Sequence, residues 1–148
     1  MNDNHYQQNL YMKINLTITG CMGRMGQQLI KSSNKNKIFK IVSLTENFKI
    51  NKKINNILPE FNNVNSFKKT NIIIDFTVPK CTLEVLKIAS KLKKRVVIGT
   101  TGFTKNQENL IKKYSKKIPI LKAGNMSLGI NLLMYLTAVS YTHLRAHE

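Results

Sequence analysis

Residues 17–27 read Thr17-Ile18-Thr19-Gly20-Cys21-Met22-Gly23-Arg24-Met25-Gly26-Gln27. Apolar side chains alternate before the first glycine, as in a strand, and recur at helical spacing after the last one. Glycines at these positions permit a tight turn, a close approach of a pyrophosphate and close packing of helix on strand. The start of the helix supplies N–H groups and a dipole that favour an anion. The stretch therefore predicts a phosphate-binding strand-turn-helix, to which Arg24 adds a positive charge.

An acidic residue follows at the distance expected in a dinucleotide site. Glu46 lies twenty positions after Gly26, close behind an apolar run at 38–44. An acid in that place accepts hydrogen bonds from the ribose hydroxyls of an adenosine. The glycine spacing, however, is G-x-x-G-x-x-G and not the commoner G-x-G-x-x-G, and glycines also mark ordinary turns. The motif alone leaves open a set of turn glycines with an unrelated surface glutamate.

Strand and helix patterns alternate along the chain, which predicts an α/β fold with a doubly wound parallel sheet. The segment 47–71 is rich in asparagine and weakly patterned, and we expect a surface excursion there with a short strand or turn near 64–67. Thr104 and Gln107 form a predicted capping box. The predicted strands are 13–19, 39–45, a buried run within 71–79, 95–98 and 119–122, and the predicted helices are 24–34, 79–93, 104–115 and 131–139.

Three further loops follow predicted strands. Asp75 and Thr77 end the third strand, the segment 99–103 reads Gly-Thr-Thr-Gly-Phe, and small residues fill 123–131. Because the carboxyl ends of parallel strands meet at one edge, we expect these loops to face the same crevice as Gly20. Each loop alone is also compatible with a plain turn. Their convergence predicts one nucleotide site.

The composition raises an alternative function. The chain has 148 residues, 42% of them hydrophobic, which suits a single folded domain. With 24 basic and 7 acidic side chains its formal charge is +17, which invites a basic nucleic-acid-binding module or a membrane surface. The lysines are spread among asparagines and isoleucines, and aromatic residues are not interleaved with them as stacking platforms. We therefore expect no specific nucleic acid as partner.

The cysteines and the termini indicate a cytoplasmic protein. Cys21 and Cys81 have no metal-ligand spacing, so we expect reduced thiols and no metal site. The sequence has no signal peptide and no apolar run of membrane-spanning length, so no membrane partner is expected. Residues 1–11 are polar and without pattern, and we expect a disordered leader there.

Four motifs in order across 13–139 resemble a known family. They are Gly20-x-x-Gly23-Arg24-Met25-Gly26, Asp75-Phe76-Thr77-x-Pro79, Gly99-Thr100-Thr101-Gly102-Phe103 and Asn125-x-Ser127-x-Gly129-x-Asn131. The sequence resembles 4-hydroxy-tetrahydrodipicolinate reductase, also called dihydrodipicolinate reductase, of lysine (diaminopimelate) biosynthesis. The resemblance implies a Rossmann-like domain and an enzyme that passes a hydride from NADH or NADPH to a cyclic, unsaturated dicarboxylate. A different dehydrogenase with the same nucleotide domain is the remaining alternative.

The resemblance also implies roles for individual residues. In members that favour NADPH an arginine often follows the ribose-binding acid, and here that place is Asn47, so that only Arg24 or Lys49 is left to meet a 2′-phosphate. Carried over, the pyrophosphate site is Gly20, Cys21, Met22, Gly23, Arg24 and Met25, the ribose site is Glu46, and the nicotinamide site is Gly99, Thr100, Thr101, Ala123, Gly124, Asn125 and Met126.

Family members continue into a second, substrate-binding domain that carries a His-rich motif with the proton donor and forms a homotetramer. We expect a dinucleotide-binding domain over 12–131 and the start of a connecting helix at 132–139, with the substrate domain missing and no position for the catalytic residues. The composition changes abruptly at 140–148, which we interpret as a non-native tail. A metal site on His143 and His147, at helical spacing within that tail, is the less favoured interpretation.

Overall fold

The computed structural model describes residues 13–123, in which strands and helices alternate along the chain. The elements are β1 (Ile14–Thr19), α1 (Arg24–Lys35), β2 (Phe39–Thr45), α2 (Val64–Lys68), β3 (Ile72–Asp75), α3 (Pro79–Leu92), β4 (Arg95–Ile98), α4 (Lys105–Ser115) and β5 (Ile120–Lys122). The five strands form one sheet in the order β2-β1-β3-β4-β5, and every pairing is parallel.

The strand order reverses between β1 and β3. From β1 the chain passes to β2 on one side, and it then crosses back to β3 on the other side. In open α/β sheets the crevice outside the carboxyl ends of the strands at such a reversal is the usual place for a ligand. The predicted doubly wound, Rossmann-like fold is confirmed, and the glycine turn after β1 lies at this point of reversal.

Helices cover both faces of the sheet. Side chains alternate between the faces, so β3 places Ile72 and Ile74 in one core and Ile73 in the other. This is why its sequence is a continuous apolar run, as in a strand that is buried on both sides. The first core includes Leu16, Ile18, Leu29, Ile30 and Leu44, and the second includes Phe67, Val85, Leu86, Ala89, Val96, Ile98 and Ile111.

The segment between β2 and β3 departs from one prediction. Residues 47–63 form the expected excursion, and its end returns to β2, where the Glu60 N–H donates to the Leu44 carbonyl oxygen (3.0 Å). The strand or turn predicted near 64–67 is wrong, because these residues begin the short helix α2. The reason is a capping box in which Asn63 Oδ1 accepts from the Ser66 N–H (2.9 Å) and Ser66 Oγ accepts from the Asn63 N–H (3.0 Å).

The other capping prediction is confirmed. Thr104 Oγ1 accepts from the Gln107 N–H at 3.3 Å, and Gln107 Oε1 accepts from the Thr104 N–H at 2.8 Å. The predicted helix at 131–139, the tail at 140–148 and the leader at 1–11 lie outside the described residues. Within 13–123 no helix combines the length and the apolar character needed to cross a bilayer.

Gly26 allows α1 to pack on the turn that precedes it. A Cβ atom at this position would lie 2.2 Å from the Gly20 carbonyl oxygen and 2.8 Å from the Cys21 Cα atom. Both neighbours are backbone atoms, so a side chain at Gly26 would force the helix away from the turn. The close helix packing that the glycine spacing predicts is therefore present.

We expect Gly26→Ala to lower the free energy of unfolding by about 1–3 kcal/mol or more, because the added methyl group overpacks this contact. Urea denaturation measures the change. Ser33→Ala in the same helix is the matched control, since Ser33 Oγ is buried without a hydrogen-bond partner among the described residues and its removal should be nearly neutral. Equal denaturation midpoints for the two variants would contradict the packing role of Gly26.

Candidate functional site

The turn after β1 is tight and depends on Gly20. Its φ of +65° lies in the left-handed region, and the Gly23 N–H donates to its carbonyl oxygen at 3.1 Å. A Cβ at Gly20 would also lie 2.8 Å from Thr77 Cγ2 and 3.0 Å from the Phe76 carbonyl oxygen. The turn thus packs closely against the loop after β3, and position 20 accommodates only glycine.

The helix that follows the turn begins with free donors. Gly23 is the N-cap of α1, and no side chain caps this end. The first helical hydrogen bond runs from the Gln27 N–H to the Gly23 carbonyl oxygen at 3.0 Å. The N–H groups of Arg24 and Met25 therefore have no acceptor within the helix, and the exposed Arg24 adds its charge at the same end. This is the arrangement that binds a phosphate.

Glu46 lies beside the glycine turn, at the end of β2. Its Oε2 accepts from the Met22 N–H at 3.1 Å, and its Oε1 accepts from the Asn47 N–H at 3.0 Å. The half-buried carboxylate is therefore held in place by two backbone groups, and each oxygen can still accept from a ligand hydroxyl. Glu46 lines a cavity of about 200 Å³ together with Gly20, Gly23, Thr45, Asn47, Asn62, Phe76, Thr77, Val78 and Cys81.

A second cavity of about 190 Å³ lies on the β4 side and shares Gly23, Phe76 and Thr77 with the first. We call the two cavities together the crevice. The second cavity is also lined by Arg24, Met25, Gly99, Thr100 and Thr101. The structure thus brings the glycine turn, Glu46 and the loop after β4 to one continuous edge of the sheet.

Gly99 makes close approach possible in the second cavity. A Cβ atom there would lie 2.0 Å from Phe76 Cε1, so the phenyl ring packs directly on the glycine backbone. The Gly99 N–H donates to the Asp75 carbonyl oxygen at 2.8 Å. The loops after β3 and β4 are therefore in direct contact at the crevice.

Several predicted site residues meet the crevice only through their backbone or lie beside it. The Cys21 side chain is fully buried, and its N–H donates to the Thr45 carbonyl oxygen at 3.2 Å. The exposed Met22 side chain lines a separate apolar cavity with Ile30 and Ile54, although its N–H binds Glu46. Ala123 follows β5, and its N–H donates to the Ile98 carbonyl oxygen at 2.9 Å. Gly124, Asn125 and Met126 lie outside the described residues.

Thr100 and Asp75 differ most from their sequence-based interpretation. Thr100 is 3% exposed; its hydroxyl donates to Asp75 Oδ2 at 3.0 Å and accepts from the Thr77 N–H at 2.9 Å. Asp75 is fully buried and binds threonine hydroxyls beneath the crevice. The side chains of both residues therefore point into a protein network, and the exposed Thr101 is the hydroxyl residue of this loop that remains accessible to a ligand.

Sequence reasoning missed part of the cavity wall. The exposed Val78 and the half-buried Cys81 both line the first cavity. They lie within or just after the motif Asp75-Phe76-Thr77-x-Pro79, which could have indicated them. Asn62 belongs to the asparagine-rich excursion at 47–63, where the sequence has no periodicity that could distinguish a cavity-lining asparagine from its neighbours. Its Nδ2 donates to Cys81 Sγ at 3.1 Å, and its Oδ1 accepts from Thr45 Oγ1 at 2.6 Å.

Both cysteines have a raised pKa. Burial, with a contribution from the negative charge of Glu46, raises the pKa of the Cys21 thiol to about 11. Burial also raises the pKa of Cys81, although a hydrogen bond with Thr77 opposes the shift. Both thiols are protonated at neutral pH, which favours a packing role. No group of three His, Cys, Asp or Glu side chains within 13–123 is arranged to hold a metal ion.

Comparison with known proteins identifies the family. The sequence model of the family described as dihydrodipicolinate reductase, N-terminus, matches residues 14–126. The chain belongs to this family. The 4-hydroxy-tetrahydrodipicolinate reductase of Pelagibacter ubique (strain HTCC1062) is 70% identical over 128 residues, which are 86% of this chain and 50% of the relative. That of Buchnera aphidicola subsp. Cinara cedri (strain Cc) is 38% identical over 133 residues, covering 82% of this chain and 49% of the relative.

Solved structures agree with this family assignment. The dipicolinate-bound dihydrodipicolinate reductase from Paenisporosarcina sp. TG-14 is 27% identical with a TM-score of 0.65, over 77% of this chain and 48% of that one. A homoserine dehydrogenase from S. aureus is 19% identical with a TM-score of 0.60, over 76% and 33%, and shares the fold alone. The chain spans about half the length of the dihydrodipicolinate reductases that it matches.

The raised thiol pKa values predict slow, pH-dependent labelling. Native protein should react with a maleimide at the half-buried Cys81, while the fully buried Cys21 should react only after unfolding. The rate at Cys81 should rise about tenfold per pH unit as long as the pH stays below the thiol pKa, because the thiolate is the nucleophile. Mass spectrometry follows the labelling. Cys81→Ser should abolish native labelling and Cys21→Ser should leave it unchanged, and the reverse pattern would contradict the burial assignment.

Proposed function

We propose that this chain is the dinucleotide-binding part of a 4-hydroxy-tetrahydrodipicolinate reductase, a cytoplasmic oxidoreductase of lysine biosynthesis, and that it holds NADH or NADPH along the crevice. One observation carries the cofactor assignment. The Glu46 carboxylate is bonded to the Met22 N–H directly beside an uncapped helix start. A hydrogen-bond acceptor for a ribose therefore stands next to donors for a pyrophosphate, at the edge where the strand order reverses.

The adenosine half of the cofactor fits the β2 side of the crevice. The pyrophosphate would bind the segment 20–25, where the Arg24 and Met25 N–H groups point outward from the helix end and the guanidinium supplies charge. The ribose hydroxyls would donate to Glu46. The adenine would then lie in the first cavity, against the exposed Val78.

The nicotinamide half would lie on the β4 side. The loop at 99–101 and the residues that follow β5, Ala123 among them, would hold it against the Phe76 ring, which packs on Gly99. The bound cofactor supplies the hydride, and the residues of this chain bind it, orient it and exclude water from one of its faces. The acceptor would be a cyclic, unsaturated dicarboxylate.

We assign substrate binding and proton donation to the second domain of the family. We also propose that this second domain forms the contacts between the subunits of a tetramer. We place the nucleotide domain over 12–131. The shared fold of homoserine dehydrogenase does not favour another reaction, because fold alone does not determine function. The match over residues 14–126 favours the reductase.

The first experiment is a titration of the folded chain with NADH, followed by cofactor fluorescence and calorimetry. We expect saturable binding and protection of Cys81 from maleimide, since this thiol lines the same cavity as Glu46. A folded sample with no saturable binding at millimolar NADH or NADPH would contradict the proposal. Tight DNA or RNA binding that persists at physiological salt and excludes NADH would favour the nucleic-acid-binding module.

We expect Glu46→Ala to weaken NADH binding by about 1–3 kcal/mol, because the charged hydrogen bonds to the ribose are lost. The dissociation constant is measured by calorimetry. Glu60→Ala is the matched control. The substitution removes one negative charge beside the end of β2, as Glu46→Ala does, but the exposed Glu60 does not line the crevice. Equal affinities for the two variants would contradict the ribose-binding role.

Cofactor preference gives a second check on this placement. Asn47 follows Glu46 and offers no positive charge to a 2′-phosphate, so we expect little discrimination in favour of NADPH. Asn47→Arg should shift the ratio of affinities toward NADPH, because a guanidinium beside the ribose can pair with the phosphate. Asn47→Gln is the uncharged control. A ratio that stays constant in both variants would place the ribose elsewhere.

A further inference from the structure

The Asp75 carboxylate connects four separate segments of the chain. Its Oδ1 accepts from Thr19 Oγ1 at 2.5 Å and from Thr77 Oγ1 at 2.8 Å. Its Oδ2 accepts from Thr100 Oγ1 at 3.0 Å and from Thr82 Oγ1. These threonines belong to the end of β1, the loop after β3, the loop after β4 and helix α3. One buried side chain therefore binds hydroxyls from four segments of the chain near the strand reversal.

Among residues 13–123 the carboxylate has no basic partner. In the part of the chain that the structure describes, the ion pair joins Lys122 and Glu108, and neither lies at Asp75. A buried carboxylate is costly unless its oxygens are satisfied by hydrogen bonds, and here hydroxyl donors alone fulfil that need. Such an arrangement is sensitive to geometry, because all donors must reach the carboxylate at once.

The same residues set the position of the crevice loops. Thr19 directly precedes the Gly20 turn, and Thr77 packs against that turn. The Thr77 N–H donates to Thr100 Oγ1, whose own proton is directed to Asp75. The Gly20 turn, the loop after β3 and the loop after β4 are therefore tied together through Asp75, although its side chain is fully buried and does not line either cavity.

We propose that Asp75 is a positioning residue for dinucleotide binding, which fixes the spacing between the Gly20 turn and the loop at 99–101. The inference rests on the proposed function. Two oxygens that each accept two hydroxyl protons are required, and an asparagine would turn an NH₂ group toward one pair of donors. The loops would then separate at the point where the pyrophosphate must be held from both sides.

The test measures NADH affinity in Asp75→Asn and in Thr82→Val. Thr82 is fully buried in α3 and lines neither cavity, and its hydroxyl donates to Asp75 Oδ2. The hydroxyl also lies 3.3 Å from the Val78 carbonyl oxygen, but that oxygen still accepts from the Thr82 N–H at 3.0 Å when the hydroxyl is removed, so the contact that is lost outright is the one with Asp75. Thr70→Val is the matched control. This buried threonine shares its hydroxyl proton between the Asn15 and Ile72 carbonyl oxygens, at the end of β3 opposite to Asp75. All three variants are checked by urea denaturation, so that affinity is compared among folded proteins.

We expect Asp75→Asn to weaken NADH binding about tenfold or more and Thr82→Val by a smaller factor, since displaced binding groups lose affinity steeply. Thr82→Ser, which keeps the hydroxyl, should restore the affinity, and Thr70→Val should leave it unchanged even where it lowers stability. Should Asp75→Asn fail to fold, the Val and Ser variants at Thr82 decide alone. Wild-type affinity in both Asp75→Asn and Thr82→Val would overturn the proposal.

Amide hydrogen exchange separates this outcome from a failure of the proposed function. If the wild-type chain itself binds no dinucleotide, the proposed function fails, and exchange without ligand still tests the positioning role. We expect faster exchange at the Thr77 N–H in Thr82→Val, with unchanged protection at Leu16 and Ile18 in the centre of β1. Unchanged exchange at Thr77 would overturn the positioning role.

Discussion

The site depends on the contact between Gly26 and the Gly20 carbonyl oxygen. Because no Cβ atom fits between them, the first turn of α1 packs directly on the turn after β1. The start of the helix, with its unpaired N–H groups, is thereby held at the edge where the sheet reverses its strand order. If the helix moved outward by the width of a methyl group, the backbone donors would no longer stand beside Glu46, and the cavities on either side of Gly23 would lose their common wall.

Polar interactions within the crevice follow from this packing. The tight turn brings the Met22 N–H within hydrogen-bond distance of Glu46. The Glu46 carboxylate therefore lies near the positive end of the α1 dipole. A net charge of +17 favours approach of an anionic cofactor, but it acts over the whole surface and is screened by salt. In the proposed function, specific binding would therefore depend on a few fixed groups near Gly20 and not on the many lysines.

Structural features that depend on residues close together in the sequence could be predicted, whereas features that depend on residues far apart in the sequence could not. Strand and helix positions follow from periodicity, and the capping box at Thr104 from two residues three positions apart. The helix at 64–68 was missed although Asn63 and Ser66 form the same motif, because its apolar residues suggested a strand. The orientation of Asp75 was not predictable, since it depends on hydroxyls up to 56 positions away along the chain. The role of Asn62 depends likewise on how the excursion returns to β2.

The division of labour in such a protein follows from the geometry of its sheet. The residues that line the described crevice come from the carboxyl ends of the strands, from the loops that follow them and from the first turns of α1 and α3. Under the proposed function they offer donors for phosphate, an acceptor for ribose and a flat apolar wall. Asp75 is buried among hydroxyls beneath the crevice, and burial raises the pKa of both cysteines. Under the proposed function such an edge would bind and orient the cofactor, and the groups that select the acceptor and protonate it would approach from the open side of the crevice.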